Sequence, residues 1–322
     1  MTGGTPLKSG MVIRSTGSWF TVRDDEGNRY ECRIRGNLRI RGIQTTNPVA
    51  VGDRVDFQYL EKESRDQKTL VGVIRHIHER KNYIIRRSQN LSKQAHIIAS
   101  NIDQAFLVVT LQYPATSTTF VDRYLASAEA YRIPVILVFN KTDLYSPEQM
   151  ENLNQLTNLY TGIGYPCLHT SALLGNGLEE LRNLMKDKIS VFNGHSGVGK
   201  STLINRLQPG LNLRTREISD YHEKGKHTTT FSELFELDFG GYIIDTPGIK
   251  AYGMLEMEPW EISHYFREIF ALSAHCQYNN CSHTHEPGCA VKKGVENGTV
   301  ALSRYTSYLG LLETDEKYRQ PF

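Results

Sequence analysis

The chain has 322 residues, of which 39% are hydrophobic and 22% are charged, and it contains five cysteines. That hydrophobic share supplies enough apolar surface for packed cores and excludes a disordered chain, and no apolar run is long enough for a membrane-spanning helix. The formal net charge of +2 is unevenly distributed, because residues 1–90 carry 17 basic and 10 acidic side chains and the remaining residues carry 20 and 25.

The cysteine count and the first fifteen residues indicate the cellular compartment to expect. Five cysteines are too few for a disulfide scaffold in a chain of this length. No apolar block follows the first charges, so no secretory signal is predicted. We therefore expect a cytoplasmic protein with reduced thiols and no membrane association.

The first part of the chain has the pattern of short strands separated by turns. The predicted strands span residues 17–22, 29–34, 54–59 and 70–77. The first two flank a polar turn at residues 24–28 and form a hairpin. Several short strands without a helical period predict a small closed β-barrel.

Five arginines lie within thirteen residues of this region, opposed only by Glu31: Arg29, Arg33, Arg35, Arg39 and Arg41. On a strand, Arg33 and Arg35 project from the same face. An arginine face on a barrel suits RNA, through phosphate contacts and stacking on unpaired bases. The alternative is a solvated edge that discourages strand pairing. In the context of the whole chain we favour RNA contact.

From about residue 100 the pattern changes to buried strands that alternate with amphipathic helices. The predicted strands span residues 105–110, 134–140, 167–171, 189–193, 231–237 and 242–245. The predicted helices span residues 119–131, 147–160 and 177–188. This alternation is typical of a mostly parallel sheet that is covered on both faces.

Two polar segments that end strands are candidates for base recognition. The first is Asn140-Lys141-Thr142-Asp143, whose final carboxylate can accept hydrogen bonds from the N1 and N2 donors of guanine. Adenine lacks that pair, so a site built around it rejects adenine strongly. The second is Ser171-Ala172-Leu173, whose backbone can contact the base oxygen.

The strongest motif fits the phosphate-loop pattern G-x-x-x-x-G-K-[ST]. It consists of Gly194, His195, Ser196, Gly197, Val198, Gly199, Lys200 and Ser201, followed by Thr202. An apolar strand precedes it and a predicted helix follows it, as the motif requires. Backbone N–H groups can wrap the phosphates, Lys200 can reach the outer phosphates, and the Ser201 hydroxyl can ligate magnesium.

Two later segments complete the expected magnesium shell. Asp245-Thr246-Pro247-Gly248 ends a strand, so Asp245 can hold magnesium through water and the Gly248 N–H can meet the terminal phosphate. Upstream of it, either Thr228 or Thr229 is the candidate switch threonine, and spacing does not choose between them.

The group that activates water is less directly indicated. Many GTPases place a glutamine after D-x-x-G, but this chain has Ile249, which cannot hydrogen-bond through its side chain. His227 is the candidate, because an imidazole can position or deprotonate water near neutral pH.

Together these segments identify a GTP-binding domain whose motif order is permuted, since the base-reading segments precede the phosphate loop. Chain termini often lie close together, so a permuted order can build the same site. Over essentially its whole length the sequence resembles the ribosome-small-subunit-dependent GTPase A family (RsgA, also called YjeQ), which are circularly permuted GTPases and bacterial assembly factors. The similarity of the Lys226–Thr230 stretch to that family supports His227.

The C-terminal part contains a predicted helix at residues 260–272, a Cys/His-rich segment, and further helices from about residue 291. Cys276, Cys281, His283 and Cys289 lie within fourteen residues. Three thiolates and an imidazole form a closed tetrahedral set, which is typical of structural zinc. His275 and His285 are alternative ligands, and the family resemblance favours His283.

We therefore predict a multidomain protein: an OB-fold RNA-binding barrel at residues 1–85, a circularly permuted P-loop α/β GTPase domain at residues 86–254, and a helical zinc-binding domain at residues 255–322. The resemblance implies a GTP hydrolase, acting with magnesium in late maturation of the small ribosomal subunit. It implies that the subunit stimulates hydrolysis, and we expect the barrel and the zinc domain both to touch rRNA. Because Asp245–Gly248 leads directly into the C-terminal domain, we also expect loss of the γ-phosphate contacts to release the RNA. We also expect a monomer.

Two other functional classes are alternatives to this prediction. One is an RNA-binding chaperone that uses nucleotide only for structure, which would show no stimulation of hydrolysis by small subunits. The other is an ATP-dependent enzyme, which Asp143 disfavours because its carboxylate suits the donor pair of guanine.

Overall fold

The computed structural model describes residues 7–34, 48–63, 68–87, 95–211, 232–245 and 257–318. The chain forms two compact units. The first contains the described parts of residues 1–104, 182–192 and 208–253, and the second contains those of residues 105–181, 193–207 and 254–322.

Thirteen strands and eight α-helices lie in the described ranges. The strands are β1 Leu7–Ser15, β2 Phe20–Asp24, β3 Arg29–Ile34, β4 Arg54–Glu63, β5 Lys68–Ile77, β6 Tyr83–Arg87, β7 Ala95–Ser100, β8 Gln104–Val109, β9 Val135–Phe139, β10 Cys167–His169, β11 Ile189–Asn193, β12 Ser232–Glu236 and β13 Tyr242–Asp245. The helices are α1 Thr118–Ala130, α2 Pro147–Gly162, α3 Leu178–Met185, α4 Lys200–Leu207, α5 Pro259–Ile262, α6 Arg267–Ser273, α7 Ala290–Glu296 and α8 Leu302–Tyr318.

The first five strands close into the barrel that the sequence predicts. β1 pairs antiparallel with both β2 and β4, β2 pairs antiparallel with β3, and β5 pairs with β3 in parallel and with β4 antiparallel. This closed order fits an OB fold. The barrel core consists of Val12, Phe20, Val22, Tyr30, Cys32, Val49, Val55, Phe57 and Ile74.

The predicted hairpin is confirmed, but its first strand starts later than expected. Gly17 has a positive φ of 85°, and Thr16 N donates to Trp19 O at 2.9 Å. The chain therefore turns before Phe20, where β2 begins. The strand β1 was not predicted, because its Lys-Ser-Gly start breaks the alternation of apolar and polar residues.

The first unit also contains strands that continue from the barrel into a sheet. β12 pairs antiparallel with both β1 and β13, and β13 pairs in parallel with β11. β6 and β7 form a separate antiparallel pair. Main-chain hydrogen bonds thus join the barrel directly to the β12–β13–β11 sheet.

The second unit contains the parallel strands β8, β9 and β10, with β9 in the middle. Every residue of β8 and β9 is buried, as continuous apolar runs in parallel sheets predict. The predicted alternation of strands and helices is confirmed here, with shifts of a few residues at the ends. β10 stops at His169. Helix α3, at Leu178–Met185, begins in this unit and ends in the first one, and it is shorter than the predicted 177–188.

The expected continuous helix at residues 260–272 is wrong. The chain forms α5, a 3₁₀ turn at Ser263–Tyr265 and then α6, with extended backbone at Phe266 (φ −110°, ψ 99°). Phe266 is fully buried in a core with Ile262, Ile269 and Tyr308. We attribute the break to the burial of this ring. The helices expected from about residue 291 are confirmed as α7 and α8.

Among the helices in the described ranges, none is both long enough and apolar enough to span a bilayer.

Candidate functional site

The phosphate-loop motif forms the connection between the end of β11 and the start of α4, at Lys200. All three of its glycines have backbone angles that favour glycine, with φ of 137° at Gly194, 84° at Gly197 and 95° at Gly199. A Cβ atom at Gly199 would lie 2.4 Å from Asn140 Nδ2, and one at Gly194 would lie 2.1 Å from Val108 O. Both positions therefore exclude any side chain.

Lys200 is held against this loop. Its Nζ donates to Gly194 O at 2.8 Å and to His195 O at 2.6 Å. Burial lowers the pKa of its ammonium group, since a partly desolvated cation is less stable than a solvated one. An ammonium group held beside a glycine-rich loop in this way can pair with an anion such as a phosphate.

The rest of the loop differs in exposure. His195, Ser196, Gly197 and Thr202 are exposed, Ser201 is half-buried and Val198 is buried. The ring of His195 contacts the ring of Phe120 on α1, with 3.9 Å between centroids. The exposed residues leave the outer side of the loop open to a ligand.

Asn140 joins the three nucleotide motifs of this unit. Its Nδ2 donates to Val198 O in the phosphate loop at 2.8 Å. Its Oδ1 accepts from Thr170 Oγ1 at 3.0 Å and from Ala172 N at 3.2 Å. Asn140 is fully buried, so these bonds hold the base-reading segments against the phosphate loop.

The candidate base-reading carboxylate is oriented by the second segment. Ser171 Oγ donates to Asp143 Oδ1 at 2.5 Å and accepts from Leu174 N at 3.1 Å. This arrangement leaves Asp143 Oδ2 able to accept from a donor on a base. Thr142 Oγ1 donates to Thr170 O at 3.1 Å, which ties the two segments together.

Lys141 adopts a left-handed backbone conformation with φ of 64°. Its Nζ donates to Tyr113 O in the loop that precedes α1. The side chain therefore bridges the Asn140–Asp143 segment and a neighbouring loop.

Sequence reasoning missed two residues that support this site. Tyr145 OH donates to Asn140 O at 2.7 Å and accepts from Leu111 N at 2.9 Å. Arg206 on α4 donates to Ala172 O at 3.1 Å and to Leu173 O at 3.0 Å. No local sequence pattern marks either residue, because each side chain bonds to backbone atoms of other segments. Almost any residue type can supply such backbone partners.

Several of the predicted site residues cannot be placed by the structure. His227, Thr228, Thr229 and Gly248 lie outside the described residues. Asp245 is the last residue of β13, which agrees with the expected strand end, and its side chain is not described. Their roles therefore stay predictions.

The structure brings the four predicted metal ligands together in the second unit. The ligand atoms of Cys276, Cys281, His283 and Cys289 all lie within 4.8 Å of one another. His283 Nδ1 is 3.6 Å from the sulfurs of both Cys276 and Cys289, and those sulfurs are 4.0 Å apart. Zinc–sulfur bonds of about 2.3 Å in a tetrahedron require similar separations. The cluster can therefore hold a metal such as zinc.

The backbone around this cluster is fixed by its neighbours. Tyr305 OH donates to His283 O at 2.6 Å, and Tyr308 OH donates to Ser282 O at 2.7 Å. The carboxylate of Glu286 accepts from Ser282 N at 2.7 Å. The loop is therefore fixed by side chains of helix α8 and by a side chain of the loop itself.

Only part of the predicted arginine face lies in the described chain. Arg29 and Arg33 are exposed on β3, on the same face as Glu31, while Arg35, Arg39 and Arg41 lie outside the described residues. The Arg33 guanidinium stacks on Trp19 at 3.5 Å from the ring centroid. Both residues line a cavity of about 510 Å³, which is a suitable place for a planar group to stack.

Comparison with known families covers most of the chain. The family model described as RsgA GTPase matches residues 77–255, and the model described as RsgA N-terminal domain matches residues 9–65.

Named relatives and solved structures match the chain over nearly its whole length. A Bacteroides fragilis protein named small ribosomal subunit biogenesis GTPase RsgA is 57% identical over 315 residues, which is 97% of this chain and 99% of that protein. The Flavobacterium johnsoniae protein of the same name is 52% identical over 96% of this chain and 94% of that protein. The crystal structure of YjeQ from Thermotoga maritima matches with a TM-score of 0.78 at 35% identity, covering 98% of this chain and all of that one. YloQ, a circularly permuted GTPase, matches with a TM-score of 0.75 at 28% identity, over 100% of this chain and 99% of that one.

Proposed function

The chain belongs to the RsgA family of circularly permuted GTPases and is a GTPase, and we propose from that premise that it serves as an assembly factor of the small ribosomal subunit. In this proposal it acts in late maturation in the cytoplasm, as a monomer. The subunit stimulates hydrolysis of GTP to GDP and phosphate. The names of the relatives support the choice of partner.

One observation carries the proposed nucleotide site: the side chain of Asn140 hydrogen-bonds to Val198 O of the phosphate loop and to Ala172 N of the second base-reading segment. The phosphate loop, Gly194–Thr202, then cradles the phosphates. Asn140–Asp143 and Ser171–Ala172 recognise guanine. The Asp143 carboxylate, oriented by Ser171, accepts from the N1 and N2 donors of the base.

The chemistry at the γ-phosphate is proposed from motif order. Magnesium, held by Ser201 and through water by Asp245, would neutralise charge on the phosphates. Either Thr228 or Thr229 would complete that shell, and the Gly248 N–H would meet the γ-phosphate. His227 would orient the attacking water, because Ile249 cannot. Such sites are slow without a partner, at about 10⁻⁴–10⁻² per second.

The remaining parts are assigned to RNA contact and stability. We infer an RNA-binding barrel at residues 1–85, the GTPase domain at residues 86–254 and a zinc-binding domain at residues 255–322. Zinc bound by the Cys₃His cluster would fix the loop and add folding energy rather than catalysis, since all four positions of a tetrahedral site are filled by protein. The stack of Arg33 on Trp19 supports RNA contact by the barrel.

Motif order also suggests how hydrolysis leads to release. Asp245–Gly248 immediately precedes the C-terminal region in the chain. Loss of the γ-phosphate contact at Gly248 would therefore act directly on the segment that leads to the zinc domain, and release the RNA.

Turnover of GTP with and without purified small ribosomal subunits tests this function. We expect the subunits to raise the rate by at least tenfold, and Lys200→Ala to abolish the stimulated rate. Purified large subunits serve as the control partner. GTP hydrolysis that small subunits do not accelerate would favour an RNA-binding chaperone that uses nucleotide only for structure.

A further inference from the structure

Helix α8 contacts the loop that carries the metal ligands. The hydroxyls of Tyr305 and Tyr308 donate to the backbone carbonyls of His283 and Ser282, at 2.6 Å and 2.7 Å. The rings of His283 and Tyr308 also lie near each other, with 6.2 Å between centroids. The position of this helix therefore depends on the conformation of the loop.

The same helix also contacts α1 through a buried ion pair. Arg304 Nη1 donates to Asp122 Oδ1 at 2.9 Å, and Ser307 Oγ donates to Asp122 Oδ2 at 2.6 Å. Tyr160 OH donates to Oδ1 at 3.0 Å. These two residues of α8, Asp122 and Tyr160 are between 0% and 2% exposed. Water cannot replace the lost bonds at such buried positions, so Asp122 has to move when α8 moves.

Within one helical turn of Asp122, α1 contacts the phosphate loop. Asn193 Nδ2 donates to Tyr124 OH at 2.9 Å, and Asn193 directly precedes the first glycine of the motif. Phe120 packs against the ring of His195. A helix segment this short moves as a rigid element, so displacement of Asp122 displaces both contacts with the loop.

We propose that α8 and α1 couple occupancy of the Cys₃His metal site to the affinity of the phosphate loop for guanine nucleotide. Arg304, Ser307 and Tyr124 act as positioning residues in this coupling. Metal fixes the carbonyls that anchor α8, and α8 fixes α1 in the position that supports the loop. Coupling between two binding sites is reciprocal, so bound nucleotide must also strengthen retention of the metal by the same factor. This inference rests on the proposed nucleotide and zinc sites.

A double-mutant cycle on the zinc-loaded full chain tests the pathway. Ser307→Ala and Tyr124→Phe each delete one hydroxyl, and each should raise the Kd for GDP by about fivefold. If the two residues act along one pathway, the Kd of the double variant should equal that of the weaker-binding single variant. Independent effects would instead multiply. Ser127→Ala is the matched control, because its hydroxyl donates within α1 to Arg123 O, and it should leave the Kd unchanged.

Zinc release provides the second readout. With a chelator in excess, GDP should slow the loss of zinc from the wild-type chain several-fold, and it should have little effect in Tyr124→Phe. Equal release rates with and without GDP in the wild type, or multiplicative effects in the cycle, would overturn the coupling. If the wild-type chain bound no GDP or no zinc, the proposed sites themselves would be contradicted.

Discussion

At the scale of single residues, discrimination between bases rests on Asp143. Its Oδ1 is occupied by Ser171 Oγ at 2.5 Å, so the carboxylate cannot rotate freely. Ser171 is itself anchored by Leu174 N. A carboxylate held in this way presents its acceptor oxygen to the base in a fixed orientation, so a base without matching donors binds poorly.

Asp143→Asn should change base preference and leave the fold intact. The amide presents a donor where guanine also has one, so we expect GTP affinity to fall by on the order of 10²-fold or more, while xanthosine triphosphate gains. Calorimetric titration with the two nucleotides measures this exchange. Asp238→Asn, at an exposed position, is the control. Unchanged preference for GTP would exclude Asp143 from base recognition.

A second carboxylate, Asp24 in the barrel, links stability to pH. It accepts from Asn28 N at 2.8 Å, from Lys8 Nζ at 3.0 Å and from Tyr30 OH at 3.0 Å. Burial by itself would raise the pKa of this carboxyl group, but hydrogen bonds from Asn28 and Lys8 outweigh it and lower the pKa to about 2. Asp24 therefore binds its proton less readily in the folded chain than in the unfolded one.

The contribution of Asp24 to stability should be complete above its ordinary pKa of about 4 and should disappear as the pH falls toward 2. The free energy of unfolding, measured by urea titration between pH 5 and pH 2, should fall more steeply in the wild type than in Asp24→Asn. The neighbouring Asp25→Asn, whose side chain is 66% exposed, should follow the wild type. Parallel curves for wild type and Asp24→Asn would contradict this role.

At the scale of elements, the sequence predicts a site most reliably when all residues of a motif lie in one short segment. The phosphate loop, the Asn140–Asp143 segment and the Cys/His spacing follow fixed local patterns, and the structure brings the described members of each set together. The break at Phe266 was missed because it depends on burial of a ring in a core assembled from remote residues. The link between Arg304 and Asp122 spans 182 positions in sequence, so no local pattern can reveal it.

The metal cluster makes a prediction about helix α8. Cys281→Ser removes one of four ligands, so zinc content should fall well below one per chain. Because Tyr305 and Tyr308 are anchored on the carbonyls of the metal loop, amide hydrogen exchange in α8 should accelerate. Metal analysis and hydrogen exchange report the two effects. Cys167→Ser, outside the cluster, should change neither, and full zinc occupancy in Cys281→Ser would argue against the site.

At the scale of the whole molecule, charge and motif order carry the proposal. The first 90 residues have an excess of seven positive charges and the rest an excess of five negative ones. In the proposed function, this asymmetry would favour contact of the barrel with phosphate backbones. The order of the GTPase motifs was evident from sequence, whereas the pairing of β12 with the barrel strand β1 was not, because strand pairing between remote segments leaves no local signature.

Association with small ribosomal subunits should depend strongly on salt. When binding releases counterions from phosphates, the logarithm of the association constant falls linearly with the logarithm of the salt concentration. Raising the salt concentration from about 50 mM to about 200 mM should therefore lower the affinity by at least tenfold. Arg33→Ala should reduce both the affinity and the slope. Sedimentation with purified subunits measures these quantities, and an affinity that is insensitive to salt would rule out a backbone contact by the barrel.

Calorimetric titration of the purified chain with non-hydrolysable analogues of GTP and ATP is the most direct measurement of whether the permuted segments build one guanine-nucleotide pocket. We predict binding of the guanine analogue with at least about 10³-fold preference over the adenine analogue, and loss of that binding in Lys200→Ala but not in the exposed control Lys186→Ala. Equal affinity for the two analogues, or undiminished binding in Lys200→Ala, would contradict the account.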